Sequence, residues 1–237
     1  MSSGKSTLIN ALLGQQLMPA ANEATTATIV KIVDTDQNNF SATAYDKSGQ
    51  KVKSMDNVTL NDMKALNGDP KVSLVILKGK IPFSKSNGMK LVLVDTPGPN
   101  NSRDKSHEEM TYKMIADSEK ALVLYVMNWQ RLVINDDKIL LDYIGQNMKE
   151  GGKKRRDRVI FAVNKMDSFN PSPKYDGEGC ITRALEDVKN GLEDRGIYNP
   201  NIYPVASLPA LQLRSKDDDD ADSAELYGFR NRCGKYP

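Results

Sequence analysis

The chain opens with MSSGKSTLINALLG, Met1 to Gly14. Gly4-Lys5-Ser6 reads as the close of a phosphate-binding loop of pattern G-x-x-x-x-G-K-[ST]. The first glycine of that pattern would stand before Met1. The first strand and the front half of the loop are therefore expected to be missing from this sequence. Leu8, Ile9, Leu12 and Leu13 recur at helical spacing, and Gly14 suits a C-cap, so residues 5–13 are expected to form a helix. Backbone N–H groups at a helix start point outward and carry the positive end of the helix dipole, which suits phosphate oxygens. In such a loop Lys5 reaches the β- and γ-phosphates and the Ser6 hydroxyl ligates Mg²⁺, with Ser3, Gly4 and Thr7 in the same stretch.

Whether that stretch is a site depends on the rest of the chain. Strand-like runs cover Thr28–Val33, Phe40–Tyr45, Val72–Leu77 and Lys90–Val94, the last a continuous apolar run expected to be buried on both faces. From there the pattern alternates. Helices over about 108–117, 136–148 and 178–195 separate strands at Ala121–Met127, Arg158–Val163 and Asn201–Ala206. Strands alternating with helices of this length indicate an α/β fold with a mostly parallel central sheet and helices on both faces, here a P-loop NTPase fold.

Three further stretches stand in a telling order. Asp95-Thr96-Pro97-Gly98 comes directly after the apolar run, where a carboxylate at a strand's C-terminal end can hold Mg²⁺. Gly98 lets a backbone N–H approach the γ-phosphate without a Cβ in the way. Asn164-Lys165-Met166-Asp167 comes after the Arg158–Val163 strand. The Asp167 carboxylate can accept from guanine N1–H and the 2-amino group, a donor pair that adenine lacks. The Lys165 stem can pack along the ring plane, and Asn164 can tie the base loop to the phosphate loop. Thr25-Thr26 lies in the loop after the first helix, where a threonine can close over Mg²⁺ when the γ-phosphate is present. Phosphate, metal and base residues each fall at a strand–helix junction, which points to a guanine nucleotide.

Composition narrows the partners. The 33 basic residues nearly balance the 31 acidic ones, for a net charge of +2, which argues against a nucleic-acid binder. Cys180 and Cys233 lack metal-ligand spacing and read as reduced thiols. No signal peptide and no run of 18 apolar residues is present, so a cytoplasmic location is expected. The acidic run Asp217–Asp220 reads as a solvated linker, and the basic run Lys153–Arg156 as an exposed turn before a strand. His107, the single histidine, reads as a solvated or capping residue.

SSGKSTLINALLG, Leu17-Met18-Pro19, Thr25-Thr26-Ala27, DTPGPNNSRDKSHEEM and NKMD together resemble the GTPase domain of the dynamin superfamily, bacterial dynamin-like proteins above all. The likeness covers about residues 1–213; residues 214–237 read as an acidic linker and the start of a truncated C-terminal region. The resemblance implies GTP binding and hydrolysis, with membrane remodelling by the longer parent protein. Ser2 matches the serine that helps position the attacking water, and Thr26 the switch threonine that holds Mg²⁺ and that water. Lys5 and Ser6 match the phosphate lysine and Mg²⁺ serine, Asp95 and Gly98 the switch II pair. Asn164, Lys165 and Asp167 match the base motif, and Ser207, in Ala206-Ser207-Leu208, a last base contact through its backbone N–H.

The resemblance further implies a K⁺ or Na⁺ ion at the site and a face-to-face homodimer of GTPase domains. It also implies lipid contact through regions absent here, peripheral to a membrane. Era-like GTPases share the motif order. A nucleotide-dependent scaffold and an inactive gene fragment are the alternatives in function. A lost strand with three or four large apolar side chains would be worth roughly 5–12 kcal/mol. That is comparable with a domain's whole stability of about 5–15 kcal/mol, so weak folding or weak GTP binding is expected of this chain alone.

Overall fold

The computed structural model describes residues 3–19, 28–82, 84, 90–95, 122–129, 138–156, 158–169 and 180–215. These fall into two compact units, one drawn from residues 2–97 with 207–237, the other from 98–206.

The first unit holds helix α1 (Lys5–Leu13), strands β1 (Ile29–Asp34), β2 (Ser41–Tyr45) and β3 (Lys51–Met55), helix α2 (Leu60–Gly68), and strands β4 (Leu74–Gly79) and β5 (Val92–Asp95). Its sheet runs β3-β2-β4-β1-β5. β1 pairs with β4 in parallel, and the other three pairings are antiparallel. The expected parallel arrangement thus gives way here to a mixed sheet. The β2–β3 link is a tight turn, too short for the crossover that parallel neighbours need. Asp46 shapes that turn by accepting at one carboxylate oxygen from Ser48 N, Gln50 N and the Ser48 hydroxyl.

Both β3 and α2 lie outside the elements expected from the sequence. β3 has four of its five residues exposed, so it carries no alternating apolar signal. For α2 the signal was present: Thr59 and Asp62 form a reciprocal capping box, and Met63 and Leu66 are its buried face. Val30, Ile32, Ala42, Ala44, Val75 and Leu77 from the sheet pack with Leu13, Met63 and Leu66. Each large side chain buried there contributes about 1.5–3 kcal/mol.

β5 departs from expectation. Its apolar run is not buried on both faces: Val92 and Val94 are 41% and 39% exposed. Among the described residues β5 pairs with β1 alone and forms the sheet edge.

The second unit holds β6 (Val123–Asn128), helix α3 (Lys138–Arg156), β7 (Val159–Asn164), a single 3₁₀ turn (Met166–Ser168), helix α4 (Cys180–Glu193) and β8 (Asn201–Pro204). Its sheet, β6-β7-β8, is parallel throughout, as the βαβ alternation predicts. β7 is central and buries Val159, Phe161, Ala162, Val163 and Asn164, so side chains on both of its faces are covered. Ala184, Val188 and Leu192 recur every fourth residue and give α4 its buried stripe.

α3 runs eight residues past its expected end at Met148. The run Lys153–Arg156 therefore belongs to the last turns of a helix and not to a loop.

A last helix, α5 (Ser207–Ser215), returns to the first unit and packs on α1. At the far end of α1, Asn10 is 5% exposed. Its Nδ2 donates to Met18 O at 2.9 Å, and its Oδ1 accepts from Leu17 N at 2.9 Å and Met18 N at 2.7 Å. Asn10→Ala leaves two buried N–H groups and a carbonyl without that partner. The substitution is expected to destabilise the chain by on the order of 3 kcal/mol, read by urea denaturation. A loss under about 0.5 kcal/mol, the range of ordinary surface changes, would show that water replaces the amide.

Candidate functional site

α1 starts on Gly4, whose φ of 88° lies in the left-handed region that a side chain disfavours. A glycine N-cap brings no capping side chain, and no acidic residue stands in the first turn. The positive pole of the helix is thus left without a carboxylate of its own.

Asp95 ends β5, opposite Val30 of β1. Burial raises its carboxyl to about 6, against the pull of the Lys5 ammonium in the other direction. Asp95, ninety positions from Lys5 in the chain, therefore lies near enough in the same unit to feel the Lys5 charge. The oxygens at hand, the Asp95 carboxylate and the Ser6 hydroxyl, are hard donors of the kind Mg²⁺ prefers. Among the described residues no cluster of three His, Cys, Asp or Glu could hold a metal alone. A magnesium ion bound through one or two protein oxygens plus phosphates fits such a sparse set.

The second group of residues sits in the other unit. Asn164 closes β7 and is 1% exposed, level with Asn128 of β6. Lys165 comes next with φ 66°, a left-handed conformation rare for a residue with a side chain. The 3₁₀ turn then carries Met166, Asp167 and Ser168 away from the sheet. This turn is held from several sides. Met166 N donates to Val205 O at 3.1 Å, and Val205 N donates to Val163 O at 2.8 Å. The Ser168 hydroxyl donates to Lys165 O at 2.8 Å and accepts from Trp129 Nε1 at 3.2 Å. Trp129 also meets Phe169 edge-on, with ring centroids 4.8 Å apart. A backbone so fixed presents Asp167 at a turn tip without any need for it to be buried.

Several expected site residues, Ser2, Thr26 and Gly98, lie outside the described residues, as do His107 and the acidic run. Ser3 to Thr7 line the start of α1, and Ser207 begins α5 in the same unit. The supports Trp129, Ser168 and Asn10 were not singled out in the sequence. A lone indole or amide has no motif, and only its partners reveal its task.

A sequence model of the dynamin family matches residues 1–166, 70% of the chain. The chain belongs to the dynamin family. The match decides against the Era-like alternative. The dynamin-family chain is 26% identical to an uncharacterised protein from the xynA 3' region of Caldicellulosiruptor sp. strain Rt8B.4, over 92% of this chain and 49% of that protein. Human mitofusin-2 is 22% identical over 90% of this chain and 28% of its own length. Dynamin-like protein A of Bacillus subtilis is 21% identical over 89% and 22%. The chain thus spans about half the length of the first relative and under a third of the others.

The solved structure of an oligomerised bacterial dynamin pair, discussed in terms of long-range sensing and tethering of membranes, superposes with a TM-score of 0.63 at 16% identity. It covers 98% of this chain and 36% of the other, so the fold is shared. Among the described residues no helix is long and apolar enough to cross a membrane.

Asp95 makes stability depend on pH in an unusual direction. Its folded value is raised above the ordinary 3.8, so the folded state takes up a proton near pH 6 that the unfolded state takes up only near pH 4. With neither metal nor nucleotide, stability is expected to rise by about 2–3 kcal/mol as pH falls from 7 to 4. Asp34, Asp46 and Asp62 have lowered values, so the stability they contribute starts to fall from about pH 5 and offsets a small part of the rise at the acid end of that window. Asp95→Asn should remove the rise, and equal pH profiles for the two proteins in urea denaturation would refute it.

Proposed function

We propose that this chain binds GTP with Mg²⁺ and hydrolyses it to GDP and phosphate, with residues 1–213 as the GTPase domain and 214–237 as a linker. The observation that carries the reading is a helix start with a glycine cap and no carboxylate of its own, whose Lys5 charge is felt at Asp95, within a dynamin-family chain. An anion is what such a positive helix pole and ammonium accommodate.

In this reading the N–H groups of Ser3 to Thr7 and the Lys5 ammonium hold the β- and γ-phosphates. Ser6, Thr26 and Asp95 would hold Mg²⁺, which neutralises charge developing on the phosphoryl oxygens. Ser2 and Thr26 orient the attacking water in line, and the N–H of Gly98 faces the γ-phosphate. Lys165 stacks along the base, Asp167 accepts its N1–H and amino hydrogens, Asn164 braces the base loop, and Ser207 N–H donates to guanine O6. No covalent intermediate is needed, because positioning and charge neutralisation account for catalysis of this class. A K⁺ or Na⁺ ion and a GTPase-domain homodimer complete the site. Action in the cytoplasm on membranes is part of the proposal, and the likeness to the membrane-tethering bacterial dynamin pair supports it.

Mg²⁺-dependent phosphate release from GTP, measured across a protein dilution series in K⁺, Na⁺ and choline buffers, tests the reading. Specific activity should rise with protein concentration and require K⁺ or Na⁺. Lys5→Ala should lower kcat/KM by at least about 100-fold, the scale of one transition-state charge contact. Asp167→Asn should weaken GTP and favour xanthosine triphosphate, whose O2 accepts from the new amide. Tight GTP binding without turnover would leave a nucleotide-switched scaffold, and absence of both would refute the proposal.

A further inference from the structure

We propose that Trp129 is a positioning residue for base selection: through the Ser168 hydroxyl it holds the peptide that carries Asp167, and so favours guanine over a base without the 2-amino group. This rests on the GTPase reading of the site. β6 and β7 end level, with Asn128 opposite Asn164, so Trp129 and Lys165 are the first residues beyond the two strands. The indole N–H donates to Ser168 Oγ at 3.2 Å, 39 positions away in the chain, and that hydroxyl donates to Lys165 O at 2.8 Å.

The direction of this relay follows from the chemistry of its members. An indole N–H can only donate, whereas a hydroxyl both donates and accepts. Ser168 is exposed, so its hydroxyl by itself is free to turn to water. Trp129 engages it as an acceptor and leaves its hydrogen for Lys165 O. That carbonyl accepts from Ser168 N as well, at 3.0 Å, and on the other side of the same peptide Met166 N donates to Val205 O at 3.1 Å. The peptide joining Lys165 to Met166 is thus held at both its oxygen and its N–H, directly after the left-handed Lys165. Asp167 follows within the turn that Lys165 and Ser168 close.

A carboxylate that accepts from N1–H and the 2-amino group together has a narrower range of workable angles than one that accepts from N1–H alone. Loosening the peptide therefore weakens guanine more than hypoxanthine, and spares a ligand that has no base. The edge-on contact of Trp129 with Phe169 is a packing interaction that a phenyl ring also makes. Trp129→Phe thus removes the N–H while keeping an aromatic ring.

The experiment measures binding of GDP, inosine diphosphate and tripolyphosphate, each with Mg²⁺, to the 237-residue chain and its variants. Trp129→Phe and Ser168→Ala should each lower the preference for GDP over inosine diphosphate by about two- to fivefold, the lower range for one neutral hydrogen bond. Each should leave tripolyphosphate within about 1.5-fold, a small fraction of that energy. The double variant should lose no more than Ser168→Ala alone, because the indole acts through that hydroxyl. Ser168→Thr, which keeps the hydroxyl, should hold the preference, and the two exposed-site variants decide the matter should Trp129→Phe fail to fold. An unchanged preference in Trp129→Phe or Ser168→Ala, equal weakening of both nucleotides, or additive losses in the double variant overturns the inference while the GTPase reading stands. If the unsubstituted chain binds neither nucleotide, the GTPase reading fails and takes this inference with it.

Discussion

Helix α1 is held from its C-terminal end. Asn10 ties it to the backbone of Leu17 and Met18 by three hydrogen bonds, Arg214 reaches Ala11, and Gly14 turns the chain away in a left-handed C-cap. The N-terminal end is treated in the opposite way, with a glycine cap that offers no side chain. A nine-residue helix is marginal by itself, so its direction depends on those far contacts. Once they fix the axis, the positive pole at Gly4 to Thr7 is aimed with it.

That asymmetry explains the state of Asp95. Its carboxylate stands where burial disfavours charge, and the one cation that offsets this, Lys5, is supplied by the start of the same helix. A carboxyl with a value near 6 is poorly satisfied in the protein alone. Such groups cluster where a ligand or metal completes the balance, and in the proposed reading Mg²⁺ does so. The dynamin family match and the low identity to each relative show that the fold persists at low sequence identity.

The turn after β7 solves a different problem. Asn164 is buried in the sheet while Asp167, three residues on, must leave it. The left-handed Lys165 makes the break, at a cost of about 1–2 kcal/mol for a residue with a Cβ, and Val205, Ser168 and Trp129 hold the result. A strained backbone persists only where its surroundings over-determine it, and this turn is secured on several sides.

The sequence by itself determined α1 to the residue, most strands to within two positions, and the parallel β6-β7-β8 alternation. These come from local periodicity and from short motifs whose chemistry is intrinsic to the residue types. It did not reveal β3, whose residues are nearly all exposed, or the antiparallel pairings that a tight turn imposes on the first sheet. Nor did it show that the apolar run at Val92–Val94 would lie at an edge. Only tertiary structure brought Trp129 to Ser168 and Arg214 to Ala11, and placed Asp95 where the Lys5 charge reaches it. Each of these pairs joins residues far apart in the chain, and their placement is set by how strands and helices pack, which no local pattern encodes.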